Sequence, residues 1–158
     1  MRSASTIRVL LAAAVLLAGC TAGTADAERL GAAFCTAVIA RDEAAATAMM
    51  SVALQGQIAA LRAYDAQFRQ QRPGDTPPLG DGLRLTAFPD AVTDCRVTVE
   101  TPLQLIVHHR ATGDVDARSN DRLLLVRDAK GDLRVGDIAF ASDNRVRLRG
   151  WLNEAMTE

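Results

Sequence analysis

The chain has 158 residues, a formal charge of −1 and 49% apolar residues, enough to bury the core of a single domain. So even a charge balance steers toward no polyanion, and a 4% aromatic share argues against stacking platforms for nucleic acid or sugars. Every basic residue but Lys130 is an arginine, which reads as composition rather than as an arginine-specific site.

Residues 1–19 have the anatomy of a secretory signal: charges at Arg2 and Arg8, an apolar run from Val9 to Leu17, and small residues before Cys20. The run is about half of the roughly 20 residues a spanning helix needs. Leu17-Ala18-Gly19-Cys20 resembles the lipobox of bacterial lipoproteins. The resemblance implies a diacylglycerol on the Cys20 sulfur, cleavage before Cys20, and acylation of the new N-terminus, a multi-chain anchor that holds a domain stably on a membrane. Thr21 follows where Asp would signal inner-membrane retention, so the resemblance favours the outer membrane, with the domain facing the periplasm. Cleavage would leave 139 residues and, by removing two arginines, a charge of −3.

Residues 20–26 read as a short lipidated tether and 27–158 as one α+β domain. A first helix is predicted from Ala27 to Ala40, with Leu30, Phe34, Ala37 and Val38 toward the core. Asp42 is a candidate N-cap for a short helix to Met50, and Ser51 for a third from Val52 to Gln71, stopped by Pro73-Gly74. Residues 72–82 read as a Pro/Gly loop. Strands are then expected over Leu83–Phe88, Cys95–Glu100, Leu103–His108, Arg122–Arg127 and Leu133–Phe140, with a polar loop at Ala111–Asn120 and a hairpin turn at Asp128–Asp132. The end carries both strand and helix signals; a helix from near Asn144 is favoured.

Helices followed by an antiparallel sheet mean α+β. The order resembles the nuclear-transport-factor-2-like, or cystatin-like, fold, in which helices pack on one face of a curved sheet to make a cone. Met50-Ser51, Pro77-Pro78-Leu79-Gly80-Asp81-Gly82, Phe88-Pro89, Cys95, Asp121-Arg122-Leu123-Leu124-Leu125-Val126 and Gly136-Asp137-Ile138 resemble, in that order, a family of exported bacterial proteins with this fold and no known function. That resemblance implies a fold and no reaction.

Two cysteines remain beside Cys20. In an oxidising compartment Cys35 and Cys95 predict one disulfide, the alternative being two buried free thiols. Asp65 falls within the stripe Leu54, Ile58, Leu61 and Phe68, where a carboxylate must be paired, hydrogen-bonded or protonated. A pocket acid and a structural ion-pair partner are the two readings, the second favoured. His108 and His109 are the only histidines and point to opposite faces of a strand, so they cannot chelate one metal together. The inward one could form an acid/base dyad with Asp65. Asp114, Asp116 and Asp121 suggest a calcium loop only by composition, lacking the Gly and terminal Glu of an EF-hand, and a solvated acidic loop is the favoured reading. Arg145, Arg147 and Arg149 could meet lipid headgroups, though a solvated surface is the simpler reading. No phosphate loop, redox Cys-x-x-Cys, zinc set or cofactor motif is present in the sequence. The expected function is a non-catalytic module that is held on the membrane through Cys20 and binds an envelope protein or a small apolar ligand, with no nucleic acid, metal or cofactor. The alternative is a small cone-fold hydrolase, isomerase or dehydratase using Asp65 with His108 or His109.

Overall fold

A computed structural model describes residues 6–80, 82–87, 91–111, 117–140 and 146–157. Arg2, Asp81, Phe88, Pro89, Asp114, Asp116, Asn144 and Arg145 lie outside the described residues, as does the side chain of Cys20. No helix among the described residues is long and apolar enough to cross a membrane.

The chain is α+β, with helices followed by a curved four-stranded antiparallel sheet. Helix α1 spans Thr6–Ile39 and passes through residues 20–26 without a break. The alanines there favour helix, and an i,i+3 ion pair of Asp26 with Arg29 supports it. The predicted stripe is correct: Phe34, Ala37 and Val38 are buried and Leu30 packs against them. Gly31 lies where α1 crosses the sheet. A Cβ there would come within 2.8 Å of Leu105 Cδ1 and 2.9 Å of Val97 Cγ1, so only glycine lets the helix approach this closely.

α1 ends in a Schellman turn: Asp42 N–H donates to the carbonyl of Ala37 at 2.9 Å and Arg41 N–H to that of Val38 at 3.1 Å. Arg41 takes the left-handed position of this turn, with φ +54°. Asp42 then caps α2 (Glu43–Ala48) through Ala45 N–H at 2.9 Å, and Ser51 caps α3 (Val52–Gln71) through Leu54 N–H, both as predicted. Leu54, Ile58 and Leu61 are buried along α3.

The sheet runs in the order β1 (Val92–Thr101), β2 (Gln104–Ala111), β3 (Ala117–Arg127) and β4 (Leu133–Ala139). Register shifts near Val92, Thr101 and Leu124 add twist. β3 starts at Ala117, so residues 117–120, expected in a loop, continue the ladder, with Ala117 opposite Ala111 and Asn120 opposite His108. The Asp128 carboxylate accepts from the N–H groups of Lys130 and Asp132, closing the β3–β4 hairpin where expected.

Of the expected strand over Leu83–Phe88, the described residues 83–87 form no ladder. Residues 82–87 alternate in burial, with Leu83 and Leu85 inside, but pair with no strand. Their backbone N–H groups go instead to carboxylates: Leu83 to Glu43 at 3.0 Å and Ala87 to Asp121 at 2.9 Å. Alternation reported burial there and not a ladder.

The outer edge of β4 is closed by short pairings. Ser51 N–H donates to the Val135 carbonyl at 2.8 Å and Val135 N–H to that of Met49 at 3.0 Å. Ala139 bridges Arg147, and Phe140 N–H donates to the Val146 carbonyl at 3.0 Å. Both C-terminal signals were therefore real: a strand-like residue pair, then α4 (Leu148–Glu154), which begins later than predicted. No side chain at Arg147 caps α4; Asp137, across from it, accepts from Arg149 N–H at 3.2 Å. Arg149 is not a headgroup-facing arginine: its Nε donates to the Gly136 carbonyl at 2.9 Å and its Nη1 to Gln57 at 3.2 Å, tying α4 to β4 and α3. A disulfide joins Cys35 on α1 to Cys95 on β1, with a Cα–Cα distance of 5.4 Å.

Candidate functional site

Asp65 is 7% exposed, within the apolar stripe of α3. Both its oxygens are engaged. Oδ2 accepts from Nε of Arg69, one turn along, at 2.7 Å, and Oδ1 accepts from the backbone N–H of Leu79 at 2.8 Å. The Arg69 hydrogen bond holds the carboxyl below the usual carboxylate range; burial opposes this and the Leu79 N–H assists it. A carboxylate so held is ionised at neutral pH and has no proton to donate. The arrangement is that of an ion-paired structural residue.

His108 and His109 face opposite sides of β2. His108 is on the solvent side, bridging Thr98 Oγ1 at 3.0 Å and Asn120 Oδ1 at 2.8 Å in a ladder across three strands. His109 is buried on the core side, its Nε2 3.5 Å from Oδ2 of Asp121, itself 2% exposed. Burial pushes the His109 imidazolium pKa down, against the opposing pull of Asp121, so the ring is neutral at physiological pH. The structure does not bring Asp65 and a histidine together: the inward histidine meets Asp121, and Asp65 meets Arg69 and Leu79. Asp121 is thereby a buried strand residue and no part of a solvated acidic loop.

The notable concavity lies elsewhere. A cleft of about 760 Å³ opens where the end of α1, the second half of α3, residues 76–87 and α4 meet. Val38, Phe68, Leu83, Leu85, Val92 and Trp151 supply its apolar lining. Arg41, Arg72, Arg84 and Glu43 supply its charges. Asp65, His108 and His109 do not line it. Its size and mixed lining are those of a small-molecule site, for which roughly 300–1,000 Å³ is usual.

One wall of the cleft is formed by residues 76–80 and 82–87 of the Pro/Gly-rich segment, none of which has a strand partner among the described residues. Three carboxylates from three elements hold it at every fourth residue. Asp65 of α3 takes the N–H of Leu79, Glu43 of α2 that of Leu83, and Asp121 of β3 that of Ala87. Gly82 sits against Glu43, with φ +86° and space for no Cβ, which would lie 2.7 Å from Oε1. Asp65, the candidate acid of the sequence, is therefore one of three wall supports.

The residues of the cleft went unseen in the sequence for physical reasons. Arg41, Arg72 and Arg84 are separated by 31 and 12 positions and come from a helix end, a helix cap and an extended segment. Their one sequence signal, Arg84 within an alternating apolar run, reads as the solvent side of a strand. Trp151, the only tryptophan, reads as core. The chain matches no protein-family model, no curated protein and no solved structure.

Proposed function

We propose that this chain is a lipoprotein of the bacterial envelope, anchored through Cys20, periplasm-facing and on the outer membrane by the identity of Thr21, whose domain is a non-catalytic binding module. Its helices and curved sheet form a cone of the nuclear-transport-factor-2-like kind, as in the exported family it resembles. The observation that carries the binding reading is the cleft: it is of ligand size, lined by apolar and charged side chains together, and free of the acid/base candidates. The Cys35–Cys95 disulfide supports an oxidising compartment. At about 1.5 Å per residue, the helix between Cys20 and Val38 sets the cleft up to roughly 27 Å from the point of lipid attachment. The enzyme alternative would need Asp65 and a histidine at one reacting centre, and it draws no support from this geometry.

Metabolic labelling with a fatty-acid probe tests the anchor: wild type should be marked and membrane-bound, Cys20→Ala unmarked. Equal labelling of the two removes the lipoprotein reading. Native mass spectrometry tests the module: full chain released gently from membranes should carry a small-molecule adduct that Phe68→Ala sheds.

A further inference from the structure

We propose that the cleft binds a single-chain anionic amphiphile, its carboxylate or phosphate held by Arg41, Arg72 and Arg84 and its alkyl chain lying along Phe68, Leu85 and Trp151. The inference rests on the binding-module reading and gives the ligand's chemical class.

Three guanidinium groups line one cleft beside its apolar residues, and none has a carboxylate partner among the described residues. The one carboxylate in the lining, Glu43, is engaged by Leu83 N–H and by Arg62, 3.5 Å away on the outside. Arg84 is half-buried, with its guanidinium 4.5 Å above the Phe140 ring and one long bond, 3.4 Å, to the Ala87 carbonyl. Arg72 lies 5.3 Å over Phe68. A guanidinium stacked by its face keeps its edge N–H groups for a second partner, and that edge matches a carboxylate or phosphate bidentately. An uncharged apolar occupant would take water from the half-buried Arg84 and return nothing.

Arg41 supplies an independent observation. It holds the left-handed position of the Schellman turn, where glycine is the unstrained residue, and the side chain placed there reaches the cleft. Local strain kept at a ligand-facing position points to use of the side chain. The adjoining apolar lining then selects an anion that carries an alkyl chain over a bare one.

The test uses the full chain in phosphatidylcholine vesicles, protein-free vesicles as blank, and the emission of Trp151, the only tryptophan. The probes are octanoate, octyl phosphate, octanol, octyltrimethylammonium and inorganic phosphate. The two octyl anions should bind at least about tenfold tighter than the other three, the factor expected for one charge-assisted hydrogen bond. Arg41→Gly with Arg72→Gln, both at exposed positions, should remove that preference by weakening the two octyl anions about tenfold more than octanol. Arg41→Gly alone should raise Tm by about 2–4 °C, through relief of the turn, while weakening the octyl anions. Octanol or octyltrimethylammonium binding as tightly as octanoate overturns the anion assignment and leaves the module standing. Inorganic phosphate matching octyl phosphate overturns the amphiphile in favour of a bare-anion site. Silence of Trp151 to every probe, with no adduct in native mass spectra, overturns both.

Discussion

The backbone N–H of Ala87 donates to Oδ2 of Asp121 at 2.9 Å, across 34 positions of sequence. The same oxygen lies 3.5 Å from Nε2 of His109. One buried carboxylate thus joins the wall of the cleft to the core face of the sheet. Buried backbone donors need partners, and a segment rich in Pro and Gly has no ladder to provide them. Side-chain carboxylates take that role at Leu79, Leu83 and Ala87.

These supports should be separable by hydrogen exchange. Asp65→Ala should deprotect the Leu79 amide and Asp121→Ala that of Ala87, each with less effect on the other. A uniform loss of protection along 79–87 in either variant would mean that the wall is one cooperative unit and not three attachments.

Asp65→Asn should lower stability at neutral pH by about 1–2 kcal/mol, because it removes a charged hydrogen bond to Arg69 while the amide oxygen can still accept from Leu79. Arg69 is half exposed and rehydrates, which keeps the loss below that of a fully buried pair. Because the folded carboxyl titrates below its unfolded value, its stabilisation is complete above the unfolded pKa, near 3.8, and disappears as pH falls through the lower folded one. Chemical denaturation at pH 7 checks the first claim: an Asn variant as stable as wild type would reopen the pocket-acid reading.

His109 gives a second pH dependence in a different window. Its folded pKa is lowered by burial, so below about 6.5 the unfolded chain binds a proton that the folded chain refuses. Stability should therefore fall on acidification from about pH 6.5, at a rate of at most about 1.4 kcal/mol per pH unit, before the carboxylates titrate. Denaturation curves between pH 5 and 8 should show this slope in wild type and a flatter one in His109→Gln. Should that variant not fold, NMR titration of His109 in wild type gives the same answer: a pKa at or above 6.5 contradicts it.

The helices, the caps of α2 and α3 and all four strands were legible because each rests on local signals. Asp42 and Ser51 cap where a short acceptor precedes an apolar stripe, and Asp128 closes its hairpin through its own neighbours. Asp65 was legible as an anomaly, since a carboxylate among Leu54, Ile58 and Leu61 demands a partner, but Leu79 as one of its two partners was not. Residues 82–87 misled, since period-two burial is shared by a strand and by any extended segment lying on a core. The cleft could not be read at all. Its cations meet only after α1, α3 and the wall are assembled, and no spacing encodes that meeting.

Gly31 should be sensitive to the smallest side chain. Alanine would gain helix propensity, about 1 kcal/mol, but its Cβ would press on Leu105 and Val97, an overpacking cost of roughly 1–3 kcal/mol. Gly31→Ala should therefore be neutral to destabilising, and Gly31→Val clearly destabilising. Val97→Ala should recover part of the Gly31→Val loss in a double-mutant cycle, since the two groups compete for one space. Additive effects would show that α1 does not press on β1 at this point.

The disulfide joins the helix to the sheet in the same region, and its removal should be the costliest single change outside the apolar core. Cys35 and Cys95 are separated by 60 positions, so opening the bridge restores a long loop to the unfolded chain, worth about 4 kcal/mol in the chain-entropy model. Measured losses for native bridges run about 2–5 kcal/mol. The bond also fixes α1 against β1, the contact on which Gly31 depends. Cys35→Ala and Cys95→Ala should each lower stability by that amount, and the double variant by little more than either single one, because each removes the same bond. Mass analysis under non-reducing conditions should find no alkylatable thiol at these positions in material exported by the cell. Two free thiols there, or single-variant losses that sum in the double variant, would show that the cysteines act as separate core residues.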